Sequence, residues 1–239
     1  MAGLDGLSRP AITYSNYLRS NLKKQEPYEK RGVGVSKIIE NIISLEWDLT
    51  NRSDRINKRE PCMCDKSMFI ANRMNILNAW PQELQESYYQ DLCTAQTESR
   101  NPISEKYGYM LEQTTPVEFE RIKNQLPERS LEQLYLMDWI SERLVSWQEG
   151  LAKKYPRLVG NQSLIRKGCD NQNKISFETY VWGELSILSE ETLRTYAAHI
   201  EHLQKKGINL NQMIFENAVA HFGYKTLDEA ELFLTKSRP

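Results

Sequence analysis

The chain has 239 residues, of which 31 are Lys or Arg and 32 are Asp or Glu, so its net charge is −1 at neutral pH. A chain of this length forms a core without metals or disulfides, and its balanced charge argues against a nucleic-acid partner, because phosphate binding requires a basic face. Its mean hydropathy is −0.63, and it lacks the run of roughly 18 apolar residues that a membrane helix needs. It contains four cysteines, and its first residues do not resemble an export signal. We therefore expect a soluble, cytoplasmic protein with reduced thiols and no membrane contact.

The first predicted helix follows a polar N-terminal segment. Residues 1–35 are polar and contain several Pro and Gly, so they are predicted to form an arm that lies on the body of the protein. From Ser36 to Leu49 apolar residues recur at three- and four-residue steps, which predicts an amphipathic helix. The stretch 50–66 is charged and interrupted by Pro61, so it is predicted to be a loop.

Later helices are predicted from their N-terminal signals. Capping residues stand before helical patterns at four places, namely Asn101, Thr115, Ser130 and Thr226. The pattern that starts at Ser130 continues to Lys154 and ends before Pro156, and the stretch 157–174 is predicted to be a second long loop. Alternation of apolar and polar residues between turns is absent, so the sequence predicts an all-α protein.

One sequence pattern occurs twice, at a separation of 108 residues. The matching positions are Phe69 and Phe177, Glu83 and Glu191, Tyr88 and Tyr196, Leu92 and Ile200, and Asn101 and Asn209. This register predicts a single-domain helical bundle of two similar halves, 36–128 and 129–239, around one shared core. The two predicted loops occupy equivalent places in the halves. If the halves pack about a pseudo-twofold axis, the loops lie near each other, and a cleft there is the predicted site.

Three charged residues occupy positions that the helical period assigns to the core. They are Glu46 in the first helix, Arg73 in the second and Glu184 in the helix that starts near Phe177. Buried charges need partners, so we expect these side chains to pair, with each other or with further groups. They are either a structural ion pair that locks the helices or a ligand clamp. In the clamp, Arg73 binds a carboxylate bidentately and a glutamate acts as acid or base.

The pair Cys62 and Cys64 lies in the first predicted loop, near Arg59. Cys-x-Cys is a weak metal signal because tetrahedral zinc requires four ligands, so no metal site is predicted. Arg59 could lower the pKa of Cys62 and make it a nucleophile, although the sequence favours an inert loop thiol. The chain contains no phosphate-binding or dinucleotide-binding glycine pattern, and no cofactor is predicted.

Several motifs together resemble one bacterial protein family. They are Glu46-Trp47, the loop from Arg59 to Cys62, Trp80 before Ser87-Tyr88, Glu105-Lys106-Tyr107, the block Ser176 to Tyr180, and Phe222-Gly223-Tyr224. In this combination the chain is similar to the bacterial domain-of-unknown-function family 4125, from about Ser36 to the C-terminus. The resemblance implies a bacterial, soluble, helical protein and implies no reaction.

Two functions are compatible with these observations. In the first, the protein is an enzyme or binder of a small polar metabolite that bears a carboxylate or an amine. The candidate catalytic residues are then Glu46, Glu184 and Cys62, and the candidate substrate-binding residues are Arg73, Arg59, Glu178 and Tyr180. In the second, the protein is a non-catalytic interaction module or scaffold that binds a partner protein. The sequence is also compatible with a homodimer.

Overall fold

The structure, a computed structural model, describes residues 36–52, 66–160, 164–171 and 175–237. These ranges contain eleven α-helices and no β-strand, so the all-α prediction is confirmed. In chain order the helices are α1 Lys37–Arg52, α2 Lys66–Leu77, α3 Gln82–Thr97, α4 Pro102–Thr114, α5 Pro116–Ile122, α6 Leu131–Lys154, α7 Pro156–Val159, α8 Phe177–Ser186, α9 Glu190–Lys205, α10 Leu210–His221 and α11 Leu227–Ser237. Short 3-10 helices lie at Lys123–Gln125 and Lys167–Cys169.

Side-chain caps start several of these helices as the sequence predicts. The Asn101 side chain accepts a hydrogen bond from the backbone N–H of Ser104 at 3.2 Å, which satisfies one of the free donors at the start of α4. Ser130 and Gln133 form a reciprocal capping box at the start of α6, with bonds of 3.0 and 2.8 Å. Both predicted helix starts are therefore confirmed.

The cap predicted at Thr115 is wrong. Thr115 is also the last residue of the preceding turn, and its backbone N–H donates to the carbonyl of Leu111 at 2.9 Å. Its hydroxyl donates to the Glu118 carboxylate at 3.3 Å and accepts no backbone N–H of α5. Helix α5 still begins at Pro116, because proline lacks the N–H that a cap would have to satisfy.

The predicted loop 157–174 is wrong at its beginning, where the short helix α7 forms. The Glu231 carboxylate on α11 accepts the backbone N–H groups of Arg157 and Leu158, both at 2.8 Å. This cap comes from a residue more than seventy positions away. A local sequence pattern cannot reveal it, because the donor groups and the acceptor meet only after the helices pack.

The helices pack as two groups around one core. Helix α1 packs against α2, α3 and α4, and helix α6 packs against α8, α9 and α10. The groups meet where α2 contacts α10, α3 contacts α9 and α4 contacts α8. One apolar cluster joins both groups, and its members include the fully buried Ile42, Leu77, Leu84, Ile140 and Leu193. Burial of each such side chain stabilises the fold by about 1.5–3 kcal/mol. A smaller cluster lies under α7, α10 and α11.

Gly183 sets the distance between α8 and α4, and its replacement gives the first testable prediction. A Cβ at this position would lie 2.8 Å from Met110 Cγ and 3.2 Å from the backbone oxygen of Lys106. We expect Gly183→Ala to lower the free energy of unfolding by about 1–2 kcal/mol, because the backbone of α4 cannot yield to the added methyl group. Urea unfolding measures the change.

Gly150→Ala is the matched control for this prediction. Gly150 is an exposed position in α6, and an added Cβ there meets no atom within 4 Å. Alanine favours the helix over glycine, so this variant is expected to gain about 0.5–1 kcal/mol. Equal effects of the two substitutions would show that α8 and α4 are not in close contact.

Candidate functional site

A cavity of about 200 Å³ lies where the two helix groups meet. Residues of α1, α2, α3, α4, α6, α8, α9 and α10 line it, and most of its wall is apolar or aromatic. Phe69 on α2, Phe177 on α8 and Phe215 on α10 contribute aromatic rings to the wall. Among the described residues, two acidic and two basic side chains also line the cavity, and they are Glu46, Arg73, Lys106 and Glu184.

Glu46 and Arg73 form a buried bidentate ion pair. Arg73 Nε donates to Glu46 Oε2 at 2.7 Å, and Arg73 Nη2 donates to Glu46 Oε1 at 2.6 Å. Glu46 is only 1% exposed and Arg73 only 8%. The Tyr88 hydroxyl also donates to Glu46 Oε1, at 2.7 Å. The Glu46 carboxylate therefore accepts three hydrogen bonds, and the Arg73 guanidinium neutralises its charge, as a buried charge requires.

The ionisation of these groups follows from their burial and their partners. Burial lowers the pKa of Arg73, but the nearby carboxylates of Glu46 and Glu184 raise it by more, so it stays above its usual value. Burial is also the main cause of the raised pKa of Tyr88, to which the Glu46 charge adds. The guanidinium is therefore charged and the phenol is protonated throughout the physiological pH range.

Lys106 and Glu184 continue the pairing toward α8. Lys106 Nζ donates to Glu184 Oε1 at 2.8 Å, and Arg73 Nη1 lies 3.8 Å from Glu184 Oε2. Charges thus alternate along the wall in the order Glu46, Arg73, Glu184 and Lys106. The Lys106 ammonium also lies 4.9 Å from the ring centre of Tyr107 and 5.2 Å from that of Tyr180, within cation–π range.

The structure brings together four of the residues that the sequence singled out. The expectation that Glu46, Arg73 and Glu184 have charged partners is confirmed, and Arg73 contacts both acids. Tyr180 lines the same cavity. Sequence reasoning missed Lys106 as a site residue. Its signal was available, because Lys106 follows Ile103 by one turn on the buried face of α4.

Glu178 does not join this group. Its carboxylate accepts the backbone N–H of Lys167 at 2.9 Å and lines a second cavity, which also contains Arg129 and Trp182. The reason is that Glu178 is two positions from Tyr180 on α8, which turns the two side chains toward different faces of the helix. Cys62, Cys64 and Arg59 lie outside the described residues, and so does the N-terminal arm 1–35.

Asp170 fixes the start of α8, the helix that carries Glu184. Its carboxylate accepts hydrogen bonds from the backbone N–H of Ser176 at 2.6 Å, from the Ser176 hydroxyl at 2.9 Å and from the Thr179 hydroxyl. Burial nevertheless raises the pKa of Asp170 above its ordinary value. The segment before α8 is thereby tied to the first turn of the helix, and the helix to its place at the cavity.

Glu184 is held as a carboxylate. Burial would raise its pKa, but the positive charges of Lys106 and Arg73 lower it further, to about 2. About a quarter of its side chain remains accessible. At neutral pH this group is therefore a hydrogen-bond acceptor and cannot donate a proton.

The lowered pKa of Glu184 gives a testable dependence of stability on pH. The pKa of a free Glu carboxyl is 4.5, and the pKa of Glu184 in the folded protein is about 2. Because folding depresses this pKa, the contribution is fully present above pH 4.5 and is lost as the pH falls toward 2. The contribution is on the order of 3 kcal/mol. We expect wild type to be more stable than Glu184→Gln at pH 7, with a difference that narrows steadily below pH 4.5, as measured by urea unfolding.

Asp170→Asn is a control for the same experiment, because the pKa of Asp170 is shifted in the opposite direction. The difference in unfolding free energy between wild type and Asp170→Asn should not narrow as the pH falls in the way expected for Glu184→Gln. A constant gap between wild type and Glu184→Gln from pH 7 to pH 3 would contradict the assignment of Glu184 as the titrating group.

The described part of the chain contains neither a metal-binding cluster nor a membrane-spanning helix. Groups of three or more His, Cys, Asp or Glu side chains arranged to hold a metal ion do not occur there. Within the same ranges, every helix is too short or too polar to cross a bilayer.

The chain was compared with known families, curated proteins and solved structures. It matches no curated protein and no solved structure. Residues 36–232 match the model of the family described as "Protein of unknown function (DUF4125)", which covers all eleven helices except residues 233–237 of α11. Because the match extends over more than half of the chain, the protein belongs to the DUF4125 family.

Proposed function

We propose that this protein binds a small metabolite in the cavity between its two helix groups. The observation that carries the proposal is a space of about 200 Å³ bordered by a paired set of four charges. An apolar cavity of about 150 Å³ in another protein is large enough for benzene, so this space has room for roughly eight or nine non-hydrogen atoms. Arg73, Lys106 and Glu184 are the polar groups that would contact the ligand.

Binding fits this geometry better than acid–base catalysis. Both oxygens of Glu46 already accept hydrogen bonds from Arg73 and Tyr88. Glu184 has a pKa of about 2, far from the neutral value that suits a general acid or base. We therefore propose that Glu46 positions Arg73 and that Glu184 orients the ligand. A catalytic role for Cys62 stays a prediction, as does substrate contact by Arg59.

We also propose that the two halves, 36–128 and 129–239, arose by duplication. The packing of α1 on α2 to α4 parallels that of α6 on α8 to α10, which supports this origin. The Asn101 side chain donates to the Leu49 carbonyl at 2.9 Å, and the Asn209 side chain donates to the Trp147 carbonyl at 3.1 Å. Each asparagine thus joins the helix that it caps, α4 or α10, to the first helix of its half. The cavity then lies between the halves.

Under this proposal the two halves contribute unequally to the cavity. At the 108-residue spacing, Arg73 corresponds to Val181 and Lys106 to Ile214. Three of the four charges come from the first half and only Glu184 from the second. A ligand therefore has one polar wall and one apolar wall to contact. A cytoplasmic location remains part of the proposal. The lack of a nucleic-acid partner does too, on the ground of the balanced charge.

A pair of phenylalanine variants on α10 tests the proposed function. Ala218 lines the cavity, whereas Ala220 is exposed on the same helix. Ala218→Phe fills the space with a ring, and Ala220→Phe adds the same ring at the surface. In a thermal-shift screen of small metabolites and aromatic fragments, we expect some compounds to raise the Tm of wild type and of Ala220→Phe but not that of Ala218→Phe. The proposal fails if every stabilising compound acts equally on Ala218→Phe.

A protein-interaction module is the second candidate function. Leu131 is 86% exposed and Tyr135 66% exposed, and they lie one turn apart at the start of α6. Exposed apolar pairs of this kind occur at protein interfaces. If the protein is a homodimer through this face, Leu131→Ser/Tyr135→Ser is expected to be a monomer in light scattering while wild type is a dimer. An unchanged mass would exclude this face as the dimer contact.

A further inference from the structure

We infer that the ligand of the cavity has no net charge and consists of a head group and an apolar body. The head group both donates and accepts hydrogen bonds, as a carboxamide does, and the apolar body is about the size of an aromatic ring. This inference rests on the proposed function and adds the chemical class of the ligand. It comes from three properties of the cavity wall, which are its net charge, its remaining hydrogen-bonding groups and its apolar surface.

The charged groups on the wall cancel. Glu46 pairs with Arg73, and Glu184 pairs with Lys106, so the wall carries two negative and two positive charges. Among the Asp, Glu, Lys and Arg side chains that the structure describes on the wall, none is left over for a ligand to neutralise. A ligand with a net charge would lose its hydration without gaining a counter-charge, which costs several kcal/mol for a buried ion. A neutral ligand avoids this cost.

The Arg73 guanidinium has one nitrogen left for a ligand. Arg73 uses Nε and Nη2 to bind Glu46. Its third nitrogen, Nη1, lies 3.8 Å from Glu184 Oε2, which is too long for a hydrogen bond. Glu184 accepts hydrogen bonds from Lys106 and Tyr180, and because a carboxylate has about four acceptor positions it can accept a further one. A donor and an acceptor thus lie side by side without bonding to each other, and both belong to residues that line the cavity.

The complement of this arrangement is an acceptor next to a donor. A carboxamide provides both, because its oxygen can accept from Arg73 Nη1 while its NH₂ group donates to Glu184 Oε2. A carboxylate offers only acceptors and faces the negative charge of Glu184. An ammonium offers only donors and faces the positive charges of Arg73 and Lys106. Each charged head group therefore satisfies one half of the arrangement and opposes the other.

The rest of the cavity selects an apolar body. Phe69, Phe177 and Phe215 line it, together with Trp80 and Val181. Aromatic side chains favour offset or edge-on contact with another ring. The volume of about 200 Å³ accommodates roughly eight or nine non-hydrogen atoms, since benzene occupies a cavity of about 150 Å³. A single ring with one small head group fits this limit.

Three probes of matched size test the inference, and they are benzamide, benzoate and benzylamine. Each is titrated into the full chain at pH 7 by calorimetry, with Ala218→Phe as the blocked control. We expect benzamide to bind wild type at least ten-fold more tightly than either charged probe and not to bind Ala218→Phe. Tighter binding of benzoate or benzylammonium would overturn the inference and leave the proposed function intact. Absence of binding by all three would overturn it as well, whereas the wider fragment screen decides the proposed function independently.

Two variants that change the charge of the wall provide a second test. Glu184→Gln gives the wall a net charge of +1, and Lys106→Gln gives it −1. We expect affinity for benzoate relative to benzamide to rise at least ten-fold in Glu184→Gln, and affinity for benzylammonium relative to benzamide to rise at least ten-fold in Lys106→Gln. Circular dichroism and Tm establish that each variant is folded at the titration temperature. If wild type and both folded variants bind the three probes with the same relative affinities, the charge of the cavity wall does not select the ligand and the inference is refuted.

Discussion

Replacing Arg73 with methionine is expected to lower the free energy of unfolding by about 3–5 kcal/mol. The substitution removes two hydrogen bonds to Glu46 and leaves a carboxylate that is 1% exposed with only the Tyr88 hydroxyl as a donor. An unpaired buried charge is among the most costly changes that a single substitution can make. Urea or guanidinium unfolding at pH 7 measures the loss.

Replacement of all three interacting residues is the informative control. Glu46→Leu/Arg73→Met/Tyr88→Phe removes the buried carboxylate, the guanidinium and the hydroxyl together, so no polar group of this trio is left unsatisfied. Buried ion pairs replaced by apolar groups of similar volume often leave stability unchanged or increase it. We therefore expect the triple variant to be more stable than Arg73→Met by at least about 2 kcal/mol. A triple variant as unstable as the single one would mean that the ion pair itself stabilises the fold.

The same triple variant separates bracing from ligand binding. If the Glu46–Arg73 pair only locks α1 to α2, a stable triple variant binds benzamide as wild type does. If Arg73 Nη1 contacts the ligand, the triple variant is folded and has lost binding. The two outcomes distinguish the structural ion pair from the ligand clamp, the alternatives that the sequence left open.

Lys106→Met is expected to have the second largest effect, a loss of about 2–3 kcal/mol. Lys106 is 6% exposed and forms the shorter of the two ionic contacts of Glu184. Its removal leaves Glu184 with Arg73 Nη1 at 3.8 Å as its remaining cationic partner. The loss is smaller than for Arg73, because a quarter of the Glu184 side chain is accessible and water can partly replace the ammonium.

Lys123→Met is the matched control for this substitution. Lys123 Nζ lies 2.7 Å from Glu120 Oε2, close to the 2.8 Å distance between Lys106 and Glu184. Both side chains of the Lys123 pair are largely exposed, and surface ion pairs contribute little to stability. We expect no measurable change in Lys123→Met. NMR titration of Lys106→Met should also show a Glu184 pKa above the value of about 2 in wild type. An unchanged pKa would contradict the pairing.

The candidate site could be predicted from the sequence only in part. Glu46, Arg73 and Glu184 were visible because a charge on an apolar helical row needs a partner wherever the row is buried. Lys106 lies on such a row as well, but a lysine is a weak signal, because its long aliphatic stem often lies along apolar surface while its ammonium reaches water. Glu178, which was a candidate substrate-binding residue together with Tyr180, lines the second cavity instead.

The sequence by itself determined where most of the helices lie, although not α7. Caps such as Ser130 and the recurrence of apolar residues act within one or two turns, so they can be detected without knowledge of the packing. Only the tertiary structure decided which charges meet. Glu46 and Arg73 are 27 positions apart, and Lys106 and Glu184 are 78 positions apart. Their contacts depend on how α1, α2, α4 and α8 cross, and the crossing is set by side-chain packing across the whole core. The cavity has the same origin, because it is the space that those helices leave between them.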